Sequence, residues 1–495
     1  MTTRSDSVPS PRGLLAVLMF AGLTVSVQST LGTPLIPTIS REQHVSLETA
    51  QWMLTITLLV GAVATPVLGR LGDGSRRRTV LLATLACGMV GSIAAATSTS
   101  FAQLLVGRGL QGIGYGTVPL CIALAREYLR GDRQRSAIAA LSITVAVGAG
   151  LGFPVTGLIA QLLDFHAAFW FGAIFAAGAL AGVFVVVPRP SASATPVSLD
   201  VPGAVLLGLG LAALLLGISN GDGWGWGSAR VVGLFAAAVA ILGLWVVVEL
   251  RRDAPLVDLR LVSQRAILSA NLAAVLIAMG MYMAMSLVNR FSQTPTAAGY
   301  GFGASLVVAG LLLLPLSAGS LVSQPITRAA TSRFGTRVVL PAGALLVAAT
   351  ELMLTVGDAH MVWVALATAL LGIGIGATFA AMPALIVANV PPERTGSATS
   401  LNQVLRSVGG ALGSATAATI LAAHHEVGLP FPARSGYTTG FVTAAAICVV
   451  AAVVTFTLTP ATKRRRESPE TELLMEESSV AVAGPAVFDG ETGRR

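Results

Sequence analysis

Residues 50–97 read AQWMLTITLLVGAVATPVLGRLGDGSRRRTVLLATLACGMVGSIAAAT. No residue is charged from Ala50 to Gly69, and none from Thr79 to Thr97. Between these runs, the nine residues Arg70 to Arg78 carry four arginines and one aspartate. An α-helix rises about 1.5 Å per residue, so about 20 apolar residues cross a hydrocarbon layer of about 30 Å. Each run is therefore read as a spanning helix. The charged segment between them is a tight hairpin on one membrane face.

The same alternation continues along the chain in both directions. Apolar runs lie near 13–36, 50–70, 79–97, 101–125, 136–160 and 167–187, then near 200–219 and 229–249. Six more lie near 265–289, 302–323, 338–357, 361–389, 396–423 and 438–459. The expectation is an all-α polytopic membrane protein with fourteen transmembrane helices. The composition agrees: 54% of the 495 residues are hydrophobic and 11% are charged, against about 25% charged in soluble domains. The 54 glycines suit helices that must approach closely inside lipid.

The net charge of +8 does not point to nucleic acid. The basic residues fall in short clusters between apolar runs, and no continuous basic face exists for a phosphate backbone. The clusters are topology signals. With both termini in the cytoplasm, 25 of the 31 Arg and Lys residues fall inside and four outside, Arg41, Arg230, Arg290 and Arg434. Arg108 and Arg406 lie within spans. This bias predicts a multi-pass protein with cytoplasmic termini, and it puts Trp224 and Trp226 at the outer interface, where amphipathic rings belong.

A repeat divides the chain. Gly112, Gly114 and Gly116 recur as Gly372, Gly374 and Gly376, an offset of 260. At an offset of 261, Asp132-Arg133 recurs as Glu393-Arg394, and Gly148 and Gly152 recur as Gly409 and Gly413. Two six-helix bundles related in parallel, with a site near the midplane between them, are a transporter architecture. The expected divisions are a tail at 1–12, a bundle at 13–187 and a linker at 188–199. An inserted helix pair at 200–249, a second bundle at 250–459 and a polar tail at 460–495 follow.

Four motifs carry a family resemblance. Gly69-Arg70-Leu71-Gly72-Asp73-Gly74-Ser75-Arg76-Arg77-Arg78 resembles the loop Gly-x-Leu-Ala-Asp-Arg-x-Gly-Arg-Lys of the major facilitator superfamily, with Arg76 in place of the second glycine. Leu104-x-x-x-Arg108-x-x-Gln111-Gly112-x-Gly114 resembles its fourth-helix pattern. Gly148-x-x-x-Gly152-Phe153-Pro154-Val155-Thr156-Gly157 resembles the antiporter motif, its proline displaced by one and Thr156 replacing a glycine. Leu401-Asn402-Gln403-x-x-Arg406-x-x-Gly409-Gly410-Ala411-x-Gly413 resembles a stretch of the fourteen-helix drug:proton antiporters, as does Gly223-Trp224-Gly225-Trp226-Gly227.

The resemblance implies the major facilitator fold and export of amphipathic compounds in exchange for protons. It also implies a gating loop at Gly69, Asp73 and Arg77, and helix bending at Gly148, Gly152, Pro154 and Gly157. Cavity or coupling roles are implied for Gln28, Thr30, Arg108, Gln111, Asn402, Gln403 and Arg406. Physically, Asp73 suits a helix N-terminus, and Arg108 and Gln111, three apart, share a helix face, as do Asn402 and Arg406, four apart. An arginine at mid-membrane depth must meet water or a partner. One departure matters: Gln28 stands where that branch carries a first-helix acid, and glutamine holds no titratable proton. Glu351, the acid clearly inside a span, is the possible proton site. Glu127 and Glu249, at inner helix ends, read as partners for the arginine clusters.

Other classes fare worse. A P-loop needs Gly-Lys-Ser or Gly-Lys-Thr, and the single lysine is Lys463. No convergent set of acids, histidines or a nucleophile suggests an enzyme. The histidines fall in or near loops, and no metal or cofactor is expected. A solute importer of the same fold is the alternative to an exporter. The expected partners are a small-molecule substrate, a proton and membrane lipids, with the chain acting as a monomer in the plasma membrane.

Overall fold

The computed structural model describes residues 10–32, 35–74, 76–189, 199–356, 360–424 and 431–460. Residues 1–9, nearly all of the linker, His425, and the tail with its basic run Lys463 to Arg466 lie outside them.

The described chain is all-helical. Its first half runs α1 (Pro11–Thr30), α2 (Ile36–Glu42), α3 (Leu47–Leu71), α4 (Arg77–Ala96), α5 (Phe101–Ile113), α6 (Thr117–Tyr128), α7 (Gly131–Leu162) and α8 (Phe165–Val186). Then come the inserted α9 (Val201–Trp224) and α10 (Ala229–Arg251), and a short α11 (Leu259–Val262). The second half runs α12 (Arg265–Gln293), α13 (Leu306–Leu311), α14 (Leu314–Phe334), α15 (Thr336–Val356), α16 (Met361–Asn389), α17 (Thr395–Ala423) and α18 (Arg434–Leu458). Helix starts are written locally. Ser46, Ser100, Asp164 and Ser228 each accept a hydrogen bond from the backbone N–H three residues on, which satisfies a donor that the first turn otherwise leaves open.

Twelve helices among the described residues are each long and apolar enough to cross a membrane. The other two expected spans fall on α5 with α6 and on α7. A 3-10 turn at Gly114–Gly116 divides the former pair into pieces of 13 and 12 residues, each too short alone. The chain continues in α7 for 32 residues. The run expected at 302–323 reaches further: after the short α13, α14 extends to Phe334, carrying Thr327 and Arg328. Hydropathy marks the apolar part of a helix, not its polar end.

In the first half α1 packs on α7 and α8, and α4 on α5 and α8; in the second α12 packs on α17 and α18, and α14 on α16. The halves meet where α3 crosses α17 and where α7 crosses α14. These crossings are equivalents. Shifting α3 by 260 residues lands on α13 and α14, and shifting α7 by 261 lands on α17. The inserted α9 pairs with α10 and rests against both α3 and α17, sharing a core of Ala62, Leu207, Leu211, Val404 and Val408. Gly225 ends α9 at φ +82°, a conformation that favours glycine, and Trp226 turns back to stack on Phe235. Outer faces expose Val185, Val239, Val362 and Val453, as helices in contact with lipid require.

Candidate functional site

The loop after α3 closes one end of the interface between the halves. Asp73 is 5% exposed. Its Oδ1 accepts from the backbone N–H of Gly396 (2.6 Å) and Ser397 (3.2 Å), and its Oδ2 from the latter (3.2 Å). It thus caps the N-terminus of α17 from the other half, where an anion meets open donors and the positive end of the helix dipole. Burial pushes its carboxyl up from 3.8 to about 6, against the lowering pull of these donors and of Arg70. Gly69 makes the approach possible: a Cβ there would lie 2.7 Å from Gly396 O and collide with Ser400.

Two arginines extend the closure. Arg77 donates to Gly72 O (2.7 Å), Glu127 Oε2 (3.1 Å) and Pro392 O (3.2 Å). Arg126 donates to Thr395 Oγ1 (2.6 Å), Val390 O (2.9 Å) and Pro391 O (3.3 Å). No motif pointed to Arg126; in sequence it is one more arginine of an inner cluster. Arg394 pairs with Asp258, tying the segment after α10 to this end. Among the described residues, Glu249 pairs with no arginine. It accepts from Trp245 Nε1 (3.1 Å) and from the N–H groups of Leu256 (3.1 Å) and Val257 (3.3 Å), which fixes the turn out of the inserted pair.

From mid-membrane toward the opposite end, a cavity of about 910 Å³ lies between the halves. It runs from Arg108 and Arg406 to Gln51, Trp224 and Arg290, which are exposed, so it opens there. Gln51, near the start of α3, is some 22 residues from Asp73, about 33 Å along a helix. The cavity and the closure are at opposite ends of the interface.

Arg108 is the centre of a buried network. Its guanidinium donates to Gln111 Oε1 (2.6 Å), to the Gln28 carbonyl (2.9 Å) and to the Met53 carbonyl (3.2 Å). Gln111 donates to Ser92 Oγ (2.8 Å), as does Gln28 (3.4 Å). The shared face of Arg108 and Gln111 is therefore real, but only Arg108 lines the cavity; Gln28 and Gln111 support it from behind. Ser92, the hub, sits in an apolar stretch of α4 that offers no sequence signal.

Arg406 and Gln403 also line the cavity. The Arg406 guanidinium lies 3.6 Å from the centroid of the Phe379 ring. Asn402, one turn away, does not reach the cavity. It donates to Asn271 Oδ1 (3.1 Å) and Ala270 O (3.2 Å), holding α17 to α12. Thr30 lines the cavity and also packs on Gly152, as Ser26 packs on Gly148. Gly409 and Gly413 make the equivalent contacts, against the backbone of α12 at Val275 and Met279. Pro154 lies inside α7, and Gly157 faces Val307 of α13. Glu351, in α15, is fully buried and both its oxygens lack a hydrogen-bond partner among the described residues. It is not among the cavity-lining residues.

The sequence model of the family described as Major Facilitator Superfamily matches residues 18–414 and 270–488. The chain is 31% identical over 423 residues to the tetracenomycin C resistance and export protein of Streptomyces glaucescens, covering 85% of this chain and 77% of that one. It is 28% identical over 429 residues to the multidrug efflux pump LfrA of Mycolicibacterium smegmatis, covering 85% and 82%. With the multidrug transporter protein MdtP of Bacillus subtilis it shares 23% over 407 residues, covering 81% and 73%. In structure it resembles the human organic anion transporter MFSD10 (TETRAN), with a TM-score of 0.64 and 18% identity, covering 90% of this chain and all of that one; at that identity the likeness concerns the fold.

Proposed function

The chain belongs to the major facilitator superfamily, and on that premise we propose that it exports small amphipathic compounds across the plasma membrane, by alternating access and in exchange for protons. The observation that carries this reading is the pair of ends: a cavity open at Gln51 and Trp224 and an interface shut at Asp73. A carrier needs two such states and a way to exchange them. The equivalent crossings of α3 on α17 and α7 on α14 supply it, because rocking one half on the other opens one end as it closes the other.

With the arginine-rich loops in the cytoplasm, the present state faces outward and Asp73, Arg77 and Arg126 form its inner gate. Similarity to proteins named for antibiotic export and multidrug efflux supports export. Glu351 is the proposed proton site. It is not among the described residues that line the cavity, so its effect on substrate would pass through the packing of α15 on α16 and α18. The protein is proposed to act as a monomer.

Everted vesicles from cells expressing the chain test this reading. Dye accumulation that needs an imposed pH gradient and stops when the gradient is collapsed is the expected result. Accumulation by intact cells instead would make it an importer.

A further inference from the structure

The described lining of the cavity carries three charged residues, and all are arginines: Arg108, Arg290 and Arg406. No described lining residue is Asp or Glu. Glu48 and Asp222 belong near the mouth by their place in α3 and α9, but their side chains are outside the described ones. Deep in the cavity the two arginines differ. The donors of Arg108 are engaged by Gln111, Gln28 and Met53. Arg406 is 5% exposed, and among the described residues it has no hydrogen bond and no ion pair.

A guanidinium offers five N–H donors in a planar fork. Phe379 satisfies one face of Arg406 through its ring quadrupole, but an aromatic face accepts nothing from the edge donors. A buried cation with open donors is an incomplete site. The group that completes it is planar, anionic and able to accept two parallel hydrogen bonds. Trp52, Tyr115, Tyr282 and Trp224 line the same space and offer ring surface to an aromatic body.

We propose that this cavity selects aromatic organic anions, their carboxylate, phenolate or sulfonate held by the Arg406 fork and their rings by the surrounding aromatic side chains. This rests on the transport reading above and narrows its substrate class. Lipophilic cations are disfavoured, because Arg108 and Arg406 repel them where no described lining residue is a carboxylate.

Fluorescein and rhodamine 6G share a xanthene core but carry opposite charge, so together they isolate the charge preference. Binding of each to the purified full chain is measured by fluorescence anisotropy, and efflux of each from a pump-deficient host by cell fluorescence. The expected result is at least tenfold tighter binding of fluorescein. Arg406→Gln should reduce that ratio about tenfold, and Arg406→Lys, which keeps the charge and loses the fork, should retain part of it. Equal or tighter binding of rhodamine 6G, no binding of fluorescein, or an unchanged ratio in Arg406→Gln overturns the proposal; the wild-type ratio decides even where a variant fails to fold. Anion-selective binding without efflux of either dye would leave the site standing and refute transport. Efflux confined to rhodamine 6G would leave transport standing and refute the anion preference.

Discussion

If Asp73 gates the interface as proposed, replacing it by asparagine should lock the closure on α17 rather than loosen it. In the closed state burial lifts the carboxyl from 3.8 to about 6, about two pH units, which at 1.36 kcal/mol per unit amounts to about 3 kcal/mol. That is the net cost of the charge at pH 7, with the hydrogen bonds from Gly396 and Ser397 already included. If an opened gate returns Asp73 to water and to its ordinary value, an uncharged asparagine that keeps one acceptor favours closure by up to that amount, up to about a hundredfold in population. Alanine removes the charge too, but it leaves two N–H groups of α17 without a cap, which takes back roughly 1–3 kcal/mol of that gain and places it between wild type and asparagine. A cysteine at Ser400, fully buried against Gly69, reports gate opening through its alkylation rate. The rate should fall most in Asp73→Asn and lie between that and wild type in Asp73→Ala, and transport should suffer in Asp73→Asn. The sign with pH follows from a raised acid. Protonation favours the state with the higher value, so wild-type labelling, corrected for thiol ionisation, should fall between pH 6 and 4 and stay level above that. Asp73→Asn should be flat. Faster labelling of Asp73→Asn than of wild type would refute the reasoning.

Further outcomes are expected elsewhere. Arg108→Ala leaves Gln111 Oε1 and two carbonyls short of a donor, so it should cost roughly 3 kcal/mol of stability and lower transport at least tenfold. Arg290→Ala, at the exposed mouth, should stay within about 0.5 kcal/mol; equal small effects by thermal melting and efflux would count against the network. A cysteine at Asp132 should resist membrane-impermeant reagents in intact cells and one at Trp224 should react, the reverse pattern contradicting cytoplasmic termini. Glu351→Gln should flatten the pH dependence of transport, and full uphill transport with an unchanged profile would remove Glu351 as carrier. Gln28→Asp should alter pH dependence or substrate range if the first-helix position keeps a coupling role.

The helices and the place of Asp73 at a helix N-terminus were legible because each rests on a local or periodic signal. Arg108 and Gln111 are three apart on one helix, so their contact follows from helix geometry alone. Asn402 and Arg406 share a face by the same rule, yet one binds α12 and the other faces open space. Spacing tells which residues point the same way; where the neighbouring helix ends and the cavity begins depends on tertiary packing. Ser92 escaped notice because a serine in an apolar run has no pattern until Gln28 and Gln111 converge on it. Glu249 read as a partner for arginines because charge was the visible feature, whereas its acceptors meet backbone N–H groups brought near by a turn.

The inserted pair breaks the symmetry that the repeat builds. α9 covers the crossing of α3 and α17 and contributes Ile218, Ser219, Asn220 and Trp224 to the cavity wall. The equivalent crossing of α7 and α14 has no such cover from it. The described cavity lining includes residues of α9 and none of α7 or α14, so one flank of the wall belongs to an element that the repeat does not contain. Side chains of α9 can therefore change what the cavity admits without altering either half, and Asn220→Leu should shift the range of compounds carried; an unchanged range would count against a part for the pair. However evenly the two halves rock, the wall around the cargo would thus be lopsided.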